Sequence, residues 1–97
     1  MLLVSISDEH RQAIREARER LELTQVALEK TARLGKTYVS YVESGKTKST
    51  DPAQLTRLLQ ALHKQSERAQ APARVKARLL RALKAVEKER QGKAKQG

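Results

Sequence analysis

The chain has 97 residues, of which 21 are Lys or Arg and 11 are Asp or Glu, for a net charge of +10. Two tyrosines are its whole aromatic content, so any core is small and aliphatic. The absence of cysteine excludes a disulfide framework and a thiolate metal site, and no run approaches the roughly 18 apolar residues of a membrane-spanning helix.

The positive excess points to a polyanionic partner, nucleic acid before an anionic membrane surface, with solubility charge as the plain alternative. It is unevenly spread. Residues 1–71 carry 12 basic and 9 acidic side chains, whereas residues 72–97 carry 9 basic and 2 acidic. "MLLVSI" is too short for an export signal and has no basic leader, so a cytoplasmic location is expected.

Glycine and proline are few and no segment sustains apolar–polar alternation, which predicts helices joined by short loops. A first helix is expected from Ser7 or Asp8, with Ile14, Ala17, Arg18 and Leu21 as a narrow inward stripe. Thr24 is a good cap for a second helix through about Thr31. Gly35 stands where a third helix would begin, with Val39 and Val42 inward, and "ESGKTKST" reads as a loop. Asp51-Pro52-Ala53-Gln54 is a clear start signal for a fourth helix, whose face is Leu55, Leu58, Leu59 and Leu62. Residues 64–73 read as a linker that could also prolong that helix. Pro72 opens a last helical pattern, and "RQGKAKQG" after Glu89 reads as a frayed tail.

The segment "LTQVALEKTARLGKTYVSYVESGK" resembles the helix-turn-helix of the Xre/lambda-Cro family of phage and bacterial repressors. The resemblance rests on Thr24, Gln25, Leu28, Val39, Ser40, Val42, Glu43, Gly45 and Lys46, without a gap, and extends from about Arg11 to Leu62. It implies an all-α, four- to five-helix lambda-repressor-like DNA-binding domain over residues 1–63; beyond it, the residues themselves predict the linker and a basic amphipathic helix and tail over 74–97. It also implies a recognition helix, 36–43, in the major groove of duplex DNA. Base contacts are expected from Lys36, Thr37, Ser40 and Tyr41. Phosphate contacts are expected from Gln25, Tyr38, Lys46, Thr47 and Lys48. Arg18 and Glu43 align with a structural salt bridge of some relatives. Three positions depart from the pattern. Glu29 replaces a small residue and is expected to splay outward, Arg33 replaces Gly and requires a strained or a different turn, and Gly35 replaces a Ser or Thr cap; one extra residue also lies between Gly45 and the fourth helix.

In the last helix Val75, Leu79, Leu83 and Val86 form an apolar stripe, and Arg74, Arg78, Arg81 and Lys88 form a basic face. The stripe is expected to pack on the domain or on a second copy, giving a homodimer. Alternatives are a basic arm for DNA or RNA, and a surface for a protein partner such as a toxin. The functional expectation is a dimeric DNA-binding repressor, with a self-regulating antitoxin as the alternative. No cofactor, metal or enzymatic chemistry is expected: His10 and His63 read as isolated surface residues, and neither a carboxylate cluster nor a Gly-rich phosphate loop is present.

Overall fold

Ser7 sets where the helical part of the chain starts. Its hydroxyl accepts from the His10 N–H at 3.2 Å, and His10 Nδ1 accepts from the Ser7 N–H at 3.1 Å. This is a reciprocal capping box with His where Glu or Gln is usual. In the computed structural model, which describes residues 2–96 and the side chains of residues 2–92, five helices and a short ladder follow.

The helices are α1 (Asp8–Arg20), α2 (Gln25–Thr31), α3 (Tyr38–Ser44), α4 (Pro52–Arg68) and α5 (Ala73–Gln96). Thr24 Oγ1 accepts from the Ala27 N–H at 3.0 Å to cap α2. Asp51 caps α4 through the Ala53 N–H at 2.8 Å, with Pro52 in the first turn, where its missing N–H leaves nothing unpaired. Strands β1 (Val4–Ser5) and β2 (Ser49–Thr50) pair antiparallel, Val4 opposite Thr50, and Ile6 N–H donates to the Lys48 carbonyl at 2.9 Å. The ladder was not expected from the sequence. It ties the chain before α1 to the loop after α3 and buries Val4 and Ile6.

The core lies between α4 and the helices around it. Leu55, Leu58, Leu59 and Leu62 of α4 are fully buried, against Ile14 of α1, Leu28 of α2, Val39 and Val42 of α3, and Val75, Leu79 and Val86 of α5. Each such side chain contributes about 1.5–3 kcal/mol by leaving water.

The last two helices correct the sequence reading. The stretch 64–73 enters the structure as the end of α4, through Arg68, and a short connection into α5. Helix α5 continues through "RQGKAKQ", where a frayed tail was expected; Gly97 lies outside the described residues. Val75, Leu79 and Val86 are buried within the chain and Leu83 packs against the same core. They are therefore not a free interface for a second copy or a toxin. The physical reason is the connection after α4, which turns α5 back onto α4 and α1, where its stripe covers their exposed apolar flank.

That connection uses a device repeated along the chain. After α4, Ala71 N–H bonds to the Ser66 carbonyl and Gln70 N–H to that of Glu67. After α1, Leu23 and Glu22 bond to Arg18 and Glu19, and after α2, Leu34 and Arg33 bond to Glu29 and Lys30. Each is a Schellman closure, in which the residue past the cap takes a left-handed conformation. Here those residues are Gln70, Glu22 and Arg33, with φ of 54°, 55° and 58°. Only Gly takes this conformation without steric penalty, so each stores strain of about 1–2 kcal/mol.

Candidate nucleic-acid interface

The turn between α2 and α3 decides what the chain presents to solvent. Arg33 reverses the chain, Leu34 packs on the core, and Gly35, Lys36 and Thr37 pass outside before α3 begins. The third helix therefore starts at Tyr38, two residues later than the expected 36–43. Thr37 precedes it with φ 68° and makes no side-chain cap.

The missing cap is supplied from another helix. Glu29 of α2 is 5% exposed, and its Oε2 accepts the Val39 N–H at 3.0 Å. This corrects the expectation of an outward Glu29: its carboxylate satisfies one of the unpaired N–H groups that begin α3 and lies at the positive end of that helix. No local signal marks such a role, because donor and acceptor are ten residues apart.

The far end of α3 is held by a second buried carboxylate. The Glu43 side chain is 1% exposed and receives Arg18 as a fork, Nε at 2.6 Å and a terminal nitrogen at 2.9 Å. Gln25 Nε2 donates to the same carboxylate at 3.3 Å. Arg15 Nε lies 3.5 Å from it, and Arg15 also donates to the Glu43 carbonyl. The hydrogen bond to Glu43 raises the Arg18 pKa, so that guanidinium stays charged at any working pH. Arg15 was missed in the sequence; its signal is the spacing Arg11, Arg15, Arg18, which puts three guanidines on one flank of α1.

Between these anchors the outer surface is polar and open. Lys36 and Thr37 are exposed, Ser40 is half-buried on the following turn, and Tyr41 is exposed. Gln25, at the start of α2, lies beside this surface through its bond to Glu43. After α3, Gly45 takes φ 84° and turns the chain into Lys46, Thr47 and Lys48. Lys46 and Lys48 are exposed, and the Lys46 ammonium rests 4.5 Å from the centre of the Tyr41 ring. That cation–π contact links the loop to the helix without using any of the lysine's hydrogen-bond donors.

Tyr38 does not belong to this surface. Its hydroxyl hydrogen-bonds Thr50 Oγ1 at 2.8 Å, and burial pushes its pKa up. It braces α3 against β2, so it is withdrawn from the expected phosphate contacts.

His10 is likewise buried, where the sequence reading put it on the surface. Burial lowers its pKa, which keeps Nδ1 free to accept the Ser7 N–H. No group of three or more His, Cys, Asp or Glu side chains that could hold a metal ion occurs among the described residues. None of the described helices is long and apolar enough to cross a membrane.

Residues 11–71, well over half of the chain, match a family model described as helix-turn-helix domain. No curated protein and no solved structure matches the chain.

Proposed function

The chain belongs to the helix-turn-helix domain family, and from that premise we propose that it is a sequence-specific duplex-DNA-binding transcriptional regulator, acting as a repressor. The observation that carries the reading is the construction of α3. Two buried carboxylates, Glu29 at its start and Glu43 near its end, fix a seven-residue helix whose outer surface stays polar and uncommitted. A helix that must read base edges needs a fixed register, and directional polar anchors supply it.

In this reading Lys36 and Thr37 lead into the major groove, Lys36 donating to guanine O6 and N7 and Thr37 offering a hydroxyl or a methyl. Ser40 and Tyr41 continue the contact one turn on. Gln25, Lys46, Thr47 and Lys48 hold phosphates on either side, which adds affinity and salt dependence without sequence information. The bond from Gln25 to Glu43 supports this role, since it ties that side chain to the network that pins α3.

One module of this size reads only a few base pairs, so two copies on inverted half-sites are the natural operator arrangement. Because the stripe of α5 is used within the fold, such a pair would assemble on the DNA. The same burial removes the sequence feature that favoured a toxin partner.

The test is selection of bound sites from random duplex DNA, followed by two double variants. Lys36→Ala with Thr37→Ala is expected to abolish preference for the selected site and leave weak, salt-sensitive binding. Unchanged preference would overturn the base-reading assignment. Lys46→Ala with Lys48→Ala is expected to weaken binding to every sequence and to lower the slope of log K against log salt by about 2.

A further inference from the structure

Helix α5 carries a basic stripe that the proposed groove contact does not use. Arg74, Ala77, Arg81, Lys84 and Lys88 recur at spacings of three and four and are all exposed. They lie on the side of α5 opposite Val75, Leu79, Ala82 and Val86, which are buried in the core. Arg74, Lys84 and Lys88 have no carboxylate partner among the described residues, and Arg81 has only the distant Glu9 at 3.6 Å. The acidic residues of α5 are engaged off the stripe: Glu89 accepts the Ser5 N–H at 2.7 Å and Glu87 accepts from Gln91. The stripe is thus a band of one sign, about four turns long.

Its place in the fold separates it from α3. Helix α1 lies between them. Its Arg15 and Arg18 reach Glu43 of α3, whereas its Glu9, Gln12 and Glu16 reach Arg81 and Arg78 of α5. Helix α1 thus stands between the stripe and the surface of α3. The stripe is a second face of the molecule. An unpaired band of cations attracts a polyanion, and a stiff duplex presents phosphates at a regular spacing to such a band.

We propose that the outer face of α5, with Arg74, Arg81, Lys84 and Lys88, is a second phosphate-binding surface that holds another segment of duplex DNA while α3 holds the first. The contact reads no sequence, since side chains on this stripe meet the backbone and not a groove floor. It rests on the reading of α3 as a DNA-binding helix, and it gives a single chain the means to bring two duplex segments together.

The experiment uses the full chain and two duplexes. One, carrying the selected site, is fixed to beads; the other, of unrelated sequence and labelled, is free. Wild-type protein is expected to bind the bead duplex and capture the labelled one. Arg74→Gln, Lys84→Gln and Lys88→Gln together are expected to leave bead binding in place, reduce capture about tenfold or more, and lower the salt slope of capture by roughly 2.7. These positions are exposed, so thermal melting of the variant should match the wild type. Failure of bead binding in the wild type would overturn the function proposed for α3, and this inference with it. Bead binding with capture unchanged by the triple variant would overturn this inference alone, placing the second duplex on the α3 of another copy. Loss of retention on phosphatidylserine–phosphatidylcholine vesicles, with duplex capture intact, would also overturn it in favour of a membrane surface.

Discussion

Helices α3 and α5 are both fixed to the same core, but by different means. The short α3 buries Val39 and Val42 and leans Tyr38 on the core, and its two ends are tied by Glu29 and Glu43. The long α5 relies on the apolar stripe of Val75, Leu79, Ala82 and Val86, with Arg78 to Glu16 as a half-buried addition. Apolar contact is non-directional and tolerates small slips. A fork of hydrogen bonds to a buried carboxylate fixes both position and rotation. The helix expected to read bases is the one with directional anchors, and the helix expected to meet phosphates is the one held by burial.

The sharpest way to break this contrast is at Arg18. Its side chain is 17% exposed and that of Glu43 is 1% exposed, so Arg18→Met removes the fork and leaves a buried carboxylate only Arg15 at 3.5 Å and Gln25 at 3.3 Å. The expected loss is about 3 kcal/mol in urea unfolding, the low end for breaking a buried pair. Adding Glu43→Leu to the same chain should recover most of the stability, because a buried ion pair replaced by apolar groups is often near neutral. Operator preference should stay impaired in that double variant, since α3 then has no directional anchor at that end and Gln25 loses its guide. Restored preference would show that apolar packing alone suffices to orient α3. On the other side of the comparison, Leu79→Ala should cost about 2–5 kcal/mol and leave operator preference unchanged at temperatures where the chain is folded.

Next in size is Glu29. Removing the carboxylate in Glu29→Ala leaves the Val39 N–H buried without a partner, an expected loss of about 1–3 kcal/mol. Glu29→Gln keeps an acceptor oxygen and should lose much less. Equal losses in the two variants would mean that the side chain acts by filling space.

These anchors also show what a sequence discloses. The caps at Thr24 and Asp51 and the leucines of α4 were readable because each signal is local: a hydroxyl or carboxylate three or fewer residues from its N–H, or a period of three and four. The start of α3 was misplaced by two residues because its cap comes from Glu29 across a turn. Val4 and Ile6 alternate with Ser5 and Ser7, but two paired residues are too few for a strand signal, and the ladder exists only once Thr50 is brought alongside. The stripe of α5 was legible, whereas the surface that covers it was not. Periodicity shows that a face is apolar, and only the turn at Gln70 determines that it folds back on the same chain. In the interface, Arg18 and Glu43 are brought forward by the family resemblance, while the spacing of Arg11, Arg15 and Arg18 marks a basic flank of α1 without telling which carboxylate Arg15 meets.

A smaller effect, confined to acid, tests the junction of α1 with α5. His10 is held neutral by burial, with Glu9 and Arg11 on its own helix, and Arg81 and Glu89 of α5 lining the same hollow. Its folded-state pKa lies below the ordinary value near 6.5, so the unfolded chain binds the proton more readily. The stability tied to neutral His10 is present above about pH 6.5 and is lost as pH falls through the lower folded value. Urea midpoints measured from pH 7.5 downward should decline across that window, and His10→Gln should flatten the decline. A decline unchanged by the substitution would assign it to other groups.

The smallest expected effect comes from the turn that precedes the proposed recognition surface, and it runs in the opposite direction. Arg33 stands at φ 58°, in the position of a Schellman closure that Gly fills without steric penalty. Replacing it by Gly relieves strain of about 1–2 kcal/mol in the folded state and returns up to roughly 1 kcal/mol to the unfolded chain as added backbone freedom. The net expectation is a gain of a few tenths to about 1 kcal/mol in urea unfolding. Arg33 is exposed, and its side chain has no hydrogen-bond or ion-pair partner among the described residues, so no other contact is removed with it there. If Arg33→Gly stabilises the chain yet leaves operator affinity unchanged, the strain is a local cost of the sequence at that turn. If affinity falls while stability rises, the guanidinium itself reaches a phosphate, and the contact surface extends one turn upstream of Lys36.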